Sequence, residues 1–388
     1  MKVIVVAGAR PNFMKVAPIL RALSARGHHS ILVHTGQHFD AAMSDAFFAD
    51  LAIPAPDYHL GVGAGTHAEQ TARVMERFDV VLGNERPDWV VVVGDVNSTL
   101  AAALVTAKRR PEIGCRLAHV EAGLRSGDWR MPEEVNRVLT DQVADLLLTH
   151  SPEAAAHLAA EGIAAPRIVF VGNVMIDSLL GALERSAGSA AWSSHGFDRN
   201  AYGLVTLHRP SNVDAIDRLT VLLAGLERVS ETLPLLWPVH PRARAQLERL
   251  PVPAGLRLIE PAGYREMAQL LDGCAVVITD SGGLQEESTA LGVPCVTLRE
   301  TTERPITVTA GSNRMVPWPP TPRGISDTVA AARAAPRRKA AIPGWDGHAA
   351  ERVVAALEEA PPSAGRCGES GVMGQFGRTW DAADAAGG

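Results

Sequence analysis

The chain has 388 residues, of which 46% are hydrophobic and 21% charged, a composition typical of a globular protein long enough for two domains. Its formal net charge of −6 and pI of about 6.1 exclude a general basic field, so neither nucleic acid nor membrane is predicted as a partner. The opening MKVIVVAGARP reads as a first strand and a turn. Its apolar run is too short for a signal-peptide core or a membrane span, so a cytoplasmic location is expected.

The cysteines are scattered, with no C-x-x-C pair and no histidines at zinc-binding spacing. They are Cys115, Cys274, Cys295 and Cys367. This pattern predicts reduced thiols and no metal site.

Short runs rich in β-branched residues alternate with helical patterns along the chain. The predicted strands are Val3–Ala7, Ile31–His34, Val90–Gly94, Arg116–Val120, Leu146–Thr149, Ile168–Val171, Leu204–Thr206, Leu235–Val239, Leu256–Ile259, Val276–Thr279 and Cys295–Leu298. Helical patterns between them include Val16–Arg26, Thr99–Lys108, Glu134–Asp145, Leu219–Val229 and Leu284–Leu291. Continuous apolar strands joined through helices predict parallel sheets covered on both faces.

So many strands would be unusual in one open sheet, so we expect two Rossmann-like, doubly wound α/β domains facing a central cleft. The first domain is assigned to residues 1–172 and the second to residues 173–345. A helix over residues 346–360 is expected to pack back on the first domain. Residues 361–388, rich in Gly, Ala and Ser, are predicted to form a flexible tail.

The most informative stretch runs from His119 to Arg137, HVEAGLRSGDWRMPEEVNR. It carries seven charged side chains between Glu121 and Arg137, and it follows a predicted buried strand. Open α/β sheets bind their ligands beyond the carboxyl ends of such strands, so this stretch is a candidate site. A solvated loop leading into a Glu-rich helix start is the alternative.

Other strand ends carry polar groups that suit a nucleotide sugar. The first βα turn lacks G-x-G-x-x-G and offers Arg10 and Lys15 instead, which favours an anionic group over a dinucleotide, although a merely charged turn is the alternative. Thr279-Asp280-Ser281-Gly282-Gly283 opens a helix as a diphosphate cradle would, with an ordinary Gly-rich turn as the alternative. Further strand-end candidates are Asp95, Glu121, Glu133, His208, His240, Glu287 and Arg304.

Several blocks, in order from Met1 to about Glu359, together resemble the non-hydrolysing UDP-N-acetylglucosamine 2-epimerases. They are GARPNFMKVAP (Gly8–Pro18), TGQH (Thr35–His38), GDVNST (Gly94–Thr99), HVEAGLRSGD (His119–Asp128), PEEVNR (Pro132–Arg137), GN-x-x-ID (Gly172–Asp177), LHRPSNVD (Leu207–Asp214), PVHPR (Pro238–Arg242), TDSGGLQEE (Thr279–Glu287) and TTERP (Thr301–Pro305). Departures from the family pattern are Ala9 and Asn12 in the first block and Met267 at a position often aromatic.

The resemblance implies a GT-B-like fold and conversion of UDP-GlcNAc to UDP-ManNAc without a cofactor, in cell-surface polysaccharide synthesis. The family's catalytic groups match Asp95, Glu121, Glu133 and His208. Its substrate and UDP contacts match Arg10, Lys15, Arg137, His240, Ser281, Gly282, Gly283, Glu287 and Arg304. A second, activating UDP-GlcNAc, bound in some bacterial members, would use Gln37, Gln70 and Arg209. A homodimer is also implied.

Four other functions remain open from the sequence. A hydrolysing relative would release ManNAc and UDP, and an epimerase of another UDP-2-acetamido sugar would use the same residues. A GT-B glycosyltransferase would share the nucleotide site, but the acid-rich stretch argues against it. A sugar-nucleotide sensor would have no use for three cleft carboxylates.

Overall fold

The computed structural model describes residues 1–37 and 48–360. His38, the tail 361–388 with Cys367, and the side chain of Arg10 lie outside the described residues. The other three cysteines are buried free thiols. Within the described chain, no helix is both long and apolar enough to cross a bilayer.

Strands of the described residues form two sheets in which every pair is parallel. Their bounds are β1 Lys2–Ala7, β2 His29–His34, β3 Tyr58–His59, β4 Trp89–Val93, β5 Arg116–Ala122, β6 Leu146–Thr149, β7 Ile168–Phe170, β8 Gly203–Thr206, β9 Leu235–Pro238, β10 Leu256–Ile259, β11 Val276–Thr279, β12 Cys295–Thr297 and β13 Asn313–Met315. The first sheet has the order β3-β2-β1-β4-β5-β6-β7, and the second has the order β10-β9-β8-β11-β12-β13.

This architecture confirms the predicted pair of doubly wound parallel sheets. Each predicted strand overlaps an observed one. The unpredicted strands, β3 and β13, lie at sheet edges and have only two and three residues, too few to show an apolar pattern.

Helices lie between the strands, as parallel connections require. Their bounds are α1 Arg10–Ala25, α2 His67–Glu85, α3 Asn97–Ile113, α4 Pro132–Val143, α5 Pro152–Ala160, α6 Val174–Arg185, α7 Ala191–Ser194, α8 Pro210–Val213, α9 Ile216–Ser230, α10 Pro241–Leu247, α11 Tyr264–Gly273, α12 Gly282–Leu291, α13 Ile306–Thr309, α14 Pro322–Ala334 and α15 Ala349–Glu359. Helix α1 begins earlier than its apolar pattern predicts, because Pro11 fits a helix's first turn.

Helix α15 packs against α1 and α6 although it follows the second sheet in the sequence. Val353 and Leu357 are fully buried in the same apolar cluster as Phe13 of α1. The Asp177 carboxylate on α6 accepts hydrogen bonds from the Ala349 and Ala350 amides at 3.2 and 2.7 Å, so it satisfies two of the donors that a helix start leaves open. The described chain therefore ends against α1, which connects the first two strands of the first sheet.

Replacing Leu357 by alanine should lower the free energy of unfolding by about 2–5 kcal/mol, because it leaves a cavity in the core of the first domain. Urea denaturation measures the change. Glu351→Ala, on the exposed face of the same helix, should shift stability by less than about 0.5 kcal/mol. Equal effects of the two variants would show that α15 does not contribute to this core.

Candidate active site

Each sheet has one point where the strand order reverses, and the candidate residues follow the strands at these two points. In the first sheet the reversal falls between β1 and β4, and Gly94 and Asp95 follow β4. In the second it falls between β8 and β11, which are followed by His208 and Ser281. Such crevices are where open α/β sheets bind ligands.

Asp95 is held by helix α4 at the end of β4. The Arg137 Nη1 atom lies 2.6 Å from its Oδ2 atom, and the Asn136 amide donates to its backbone carbonyl at 2.8 Å. The Asp95 side chain keeps 29% of its surface exposed. This carboxylate is therefore oriented from one side and accessible from the other.

Glu121 occupies a strained backbone position at a bulge in β5. Its φ is +71°, and the register between β5 and β6 shifts between Val120 and Ala122. A non-glycine residue in this conformation costs on the order of 1–3 kcal/mol, and such strain clusters at functional sites. The bulge turns the buried Glu121 carboxylate toward two cations, Lys15 and Arg304.

Lys15 on α1 forms an ion pair with Glu121 and is itself buried. Burial is the largest influence and lowers the pKa of the Lys15 ammonium to about 8; the nearby cations Arg304 and Arg137 act in the same direction, against Asp95. A negatively charged ligand beside Lys15 would favour the protonated ammonium and raise its pKa.

Glu133 and Glu134, in the first turn of α4, have different roles. The buried Glu134 accepts hydrogen bonds from the Ser126 and Gly127 amides and pairs with Arg137 at 2.7 Å. Glu133 is half-buried, and its side chain makes no hydrogen bond or ion pair within residues 1–37 and 48–360. Glu134 therefore fixes the loop, and Glu133 is available to a ligand.

Arg304 joins the two domains. Its Nη2 atom lies 3.3 Å from Glu121 in the first domain, and its Nε atom lies 3.1 Å from Glu286 on α12. His150, which follows β6, approaches Glu286 from the first domain at 3.3 Å. Burial opposes ionisation of Glu286, but Arg304 and His150 outweigh it and hold the pKa of that carboxyl below its usual value.

The start of α12 is the candidate diphosphate cradle. Ser281 is the residue before the first helical turn, and no acidic residue lies in that turn. A Cβ atom on Gly282 would lie 2.6 Å from the Arg304 Nη1 atom, so the glycine lets this cation approach the helix start. A Cβ atom on Gly283 would lie 2.9 Å from the terminal methyl of Met175, so this side chain would have to move. Unpaired helix-start amides beside a cation suit an anionic group.

Three further candidate residues, His208, His240 and Glu287, lie on the second domain's side. The half-exposed His208 places Nδ1 2.9 Å from the buried Asp280 carboxylate. The His240 ring lies 6.2 Å from the His208 ring, centroid to centroid. Glu287 is buried and accepts a hydrogen bond from the Tyr264 hydroxyl at 2.9 Å.

The residues suggested for an activator site are only partly brought together. Gln37 accepts hydrogen bonds from the Ser98 amide and hydroxyl, and the Gln70 amide donates to the Gln37 carbonyl at 3.4 Å. Arg209 lies instead against Asp280, with its Nε donating to that backbone carbonyl at 3.1 Å. No contact joins Arg209 to either glutamine in the described part of the chain.

Several residues in this cleft were not predicted from the sequence as functional candidates. His150 and Asp280 each follow a strand directly, a position that could have indicated them. Glu134 is one residue from the chosen Glu133, and only the direction of the helix face separates them. Glu286 follows no strand directly, so its position in the sequence does not indicate it. It pairs with Arg304, whereas the adjacent Glu287 bonds to Tyr264.

Glu287 predicts a pH dependence of stability. Burial raises the pKa of its carboxyl from 4.5 to about 7, with Glu286 adding to the shift. The folded state therefore holds this proton more tightly, so the contribution to stability is full below pH 4.5 and is lost as the pH rises through 7. The advantage of Glu287→Gln over the natural protein should grow by roughly 2–3 kcal/mol between pH 5 and pH 8.

Urea denaturation at the two pH values measures this difference. Glu351→Gln, at an exposed position, should track the natural protein at both. A pH-independent difference for Glu287→Gln would show that this carboxyl stays ionised throughout.

Comparison with known proteins gives a consistent result. The family model described as UDP-N-acetylglucosamine 2-epimerase matches residues 21–358. The UDP-2,3-diacetamido-2,3-dideoxy-D-glucuronate 2-epimerase of Pseudomonas aeruginosa is 43% identical over 320 residues, covering 81% of this chain and 88% of that protein. The UDP-N-acetylglucosamine 2-epimerase of Methanocaldococcus jannaschii is 40% identical over 327 residues, with the same coverage.

Solved structures agree with the sequence matches. The Methanocaldococcus jannaschii UDP-GlcNAc 2-epimerase in complex with UDP-GlcNAc and UDP superposes with a TM-score of 0.83 at 37% identity, over 92% of this chain and 99% of that one. The Neisseria meningitidis enzyme bound to UDP-GlcNAc gives a TM-score of 0.81 at 28% identity, over 92% and 100%. These neighbours are GT-B-like, as are the two domains described above. The chain belongs to the UDP-N-acetylglucosamine 2-epimerase family.

Proposed function

We propose that this protein interconverts UDP-N-acetylglucosamine and UDP-N-acetylmannosamine by eliminating UDP and adding it back. The observation that carries the proposal is the position of Arg304. This cation touches the helix start at Gly282 on one side and the Glu121 carboxylate on the other. One group thus links a site for a departing diphosphate to a carboxylate that can act on the sugar.

The chemistry explains why both are needed. The proton on carbon 2 of the sugar is not acidic, because no carbonyl lies beside it. If the bond between carbon 1 and the diphosphate oxygen breaks first, UDP leaves with the electron pair and carbon 1 becomes cationic. A carboxylate then removes the carbon 2 proton, and a double bond forms between carbons 1 and 2. Protonation from the opposite face and return of UDP give the epimer, with no net oxidation and hence no redox cofactor.

The proposed roles are those that the family resemblance implies for these residues. Asp95, Glu121 and Glu133 are the acid and base groups, and His208, oriented by Asp280, is a further proton donor or orienting group. The groups proposed to bind substrate and UDP are Arg10, Lys15, Arg137, His240, Ser281, Gly282, Gly283, Glu287 and Arg304. Cations and helix-start amides held by the fold stabilise the negative charge of a leaving diphosphate.

The 43% identity to the Pseudomonas aeruginosa protein favours a second candidate, the epimerisation of a UDP-2,3-diacetamido uronic acid. The same bond-breaking steps apply, because that sugar also carries an acetamido group at carbon 2. The two substrates differ at carbons 3 and 6. Assays with both UDP sugars distinguish these functions, and release of a free sugar with UDP would identify a hydrolysing enzyme.

Epimerisation in D2O should place deuterium at carbon 2 of the product, because the returning proton comes from a group that exchanges with solvent. Proton NMR of UDP-GlcNAc with the protein reports both the epimer and the label. Asp95→Asn, Glu121→Gln and Glu133→Gln should each slow turnover by about 10²-fold or more, the usual effect of removing a general acid or base. Glu351→Gln is the matched exposed control.

UDP affinity should survive in the three carboxamide variants, since the proposed diphosphate cradle lies in the other domain. Product that retains protium at carbon 2 would contradict elimination and indicate internal hydrogen transfer. Loss of UDP binding in all three variants would make these carboxylates structural.

UDP should raise the melting temperature, because it would contact the second domain at α12. Ser281→Trp, which fills the helix start, and Glu287→Ala should both abolish that rise. Ser288→Ala, a buried hydroxyl on the same helix, should retain it. An undiminished shift in Ser281→Trp and Glu287→Ala would move the nucleotide site away from α12.

A further inference from the structure

Three buried side chains lie behind Asp95 and Glu121 without a part in the proposed chemistry. They are His119 on β5, Arg125 in the loop after it, and Asp141 on α4. His119 and Asp141 are completely buried, and Arg125 is 11% exposed. His119 Nδ1 lies 2.6 Å from Asp141 Oδ1, and Arg125 Nη2 lies 2.8 Å from Asp141 Oδ2.

One end of this cluster holds the turn that carries Asp95. The His119 Nε2 atom donates to the Gly94 carbonyl at 2.8 Å, and the Gly94 amide donates to the Val120 carbonyl at 3.1 Å. Gly94 has a φ of +65°, and a Cβ there would lie 2.8 Å from the Lys15 Nζ atom. A side chain at this position would be strained and would crowd the Lys15 ammonium, so glycine suits the turn, and His119 fixes the Gly94 carbonyl.

The other end holds the segment that follows Glu121. The Asp141 Oδ2 atom accepts a hydrogen bond from the Gly123 amide at 3.1 Å. Glu121 and Gly123 have φ values of +71° and +80°, so two residues within three adopt the left-handed conformation. Without a fixed partner for the Gly123 amide, the bulge would have little to prevent it from relaxing to regular strand geometry.

The chemistry of the cluster suits a rigid support. Each ring nitrogen of His119 faces an oxygen atom, one of a carbonyl and one of a carboxylate, so the ring connects the two attachment points. Asp141 in turn receives His119, the Gly123 amide and Arg125. A buried charged network with all partners present is rigid, whereas removal of one partner disrupts it.

We propose that His119, Asp141 and Arg125 are positioning residues that fix Asp95 and Glu121 relative to each other. The kinetic part of this inference rests on the proposed epimerase function. Helix α4 contributes twice to the arrangement, because Arg137, one turn before Asp141, holds the Asp95 carboxylate directly. None of the three positioning residues needs to touch the substrate.

The test compares Asp141→Asn and Arg125→Met with Leu117→Val, a packing change on the same strand at a fully buried position. For the first two variants we expect kcat to fall by about 10²-fold, the effect of displacing a reacting group by roughly 1 Å. KM and the affinity for UDP should stay within threefold. Leu117→Val should keep kcat within twofold even if it lowers stability as much as Asp141→Asn or Arg125→Met does. Arg125→Lys retains the cation and should recover most of the lost turnover.

A loss of kcat no larger than that of Leu117→Val would reduce the cluster to ordinary core packing and overturn the proposal. A parallel loss of UDP affinity would also overturn it, because general unfolding would then be the cause. Crystal structures of the natural protein and of Arg125→Met test the positioning role without measuring turnover. We expect the Gly94–Asp95 turn or the Glu121 carboxylate to shift in the variant. Unchanged positions would contradict the proposal. If the natural protein does not exchange the carbon 2 proton, the proposed function fails while this structural comparison still stands.

Discussion

A chain of opposite charges that crosses the cleft is the interaction on which the site depends. Lys15 and Glu121 belong to the first domain, Arg304 and Glu286 belong to the second, and His150 returns to the first. Lys15, Glu121, Arg304 and Glu286 are largely buried, so the solvation that each charge loses must be offset by a partner of opposite charge. The two domains consequently satisfy each other's charges at the place where a ligand would bind.

This arrangement couples ligand binding to the contact between domains. An anionic diphosphate at the start of α12 would compete with Glu121 and Glu286 for Arg304, because a guanidinium has a limited number of donors. The Arg304 ion pairs with Glu121 and Glu286 would then weaken as Arg304 bonded to the diphosphate. Glu121 would keep Lys15 as its ion-pair partner.

Backbone conformation provides the second constraint. Glu121 is turned into the cleft by a bulge and a left-handed φ, and the neighbouring glycines Gly94 and Gly123 allow close approach on either side. Such a conformation persists only when surrounding contacts determine it. His119 and its partner Asp141 provide such contacts, because they bond to Gly94 and Gly123 on either side of Glu121.

The sequence by itself determined the fold class and the family. Apolar runs such as WVVVV in β4 alternate with helices, a pattern that only parallel sheets covered on both faces satisfy. Ordered motifs gave the resemblance that the comparisons bear out. Such patterns involve residues that are close in the sequence, so they can be recognised without knowledge of the tertiary structure.

Only the tertiary structure decided which charges meet. Glu133 and Glu134 are adjacent in sequence, but the second is buried in an ion pair and the first has no protein partner in the described chain. Arg304 reaches Glu121 across 183 positions, and no pattern within either segment specifies that pairing. Ion pairs between distant segments depend on how two domains pack, and that packing is set by the summed burial of many side chains rather than by any motif.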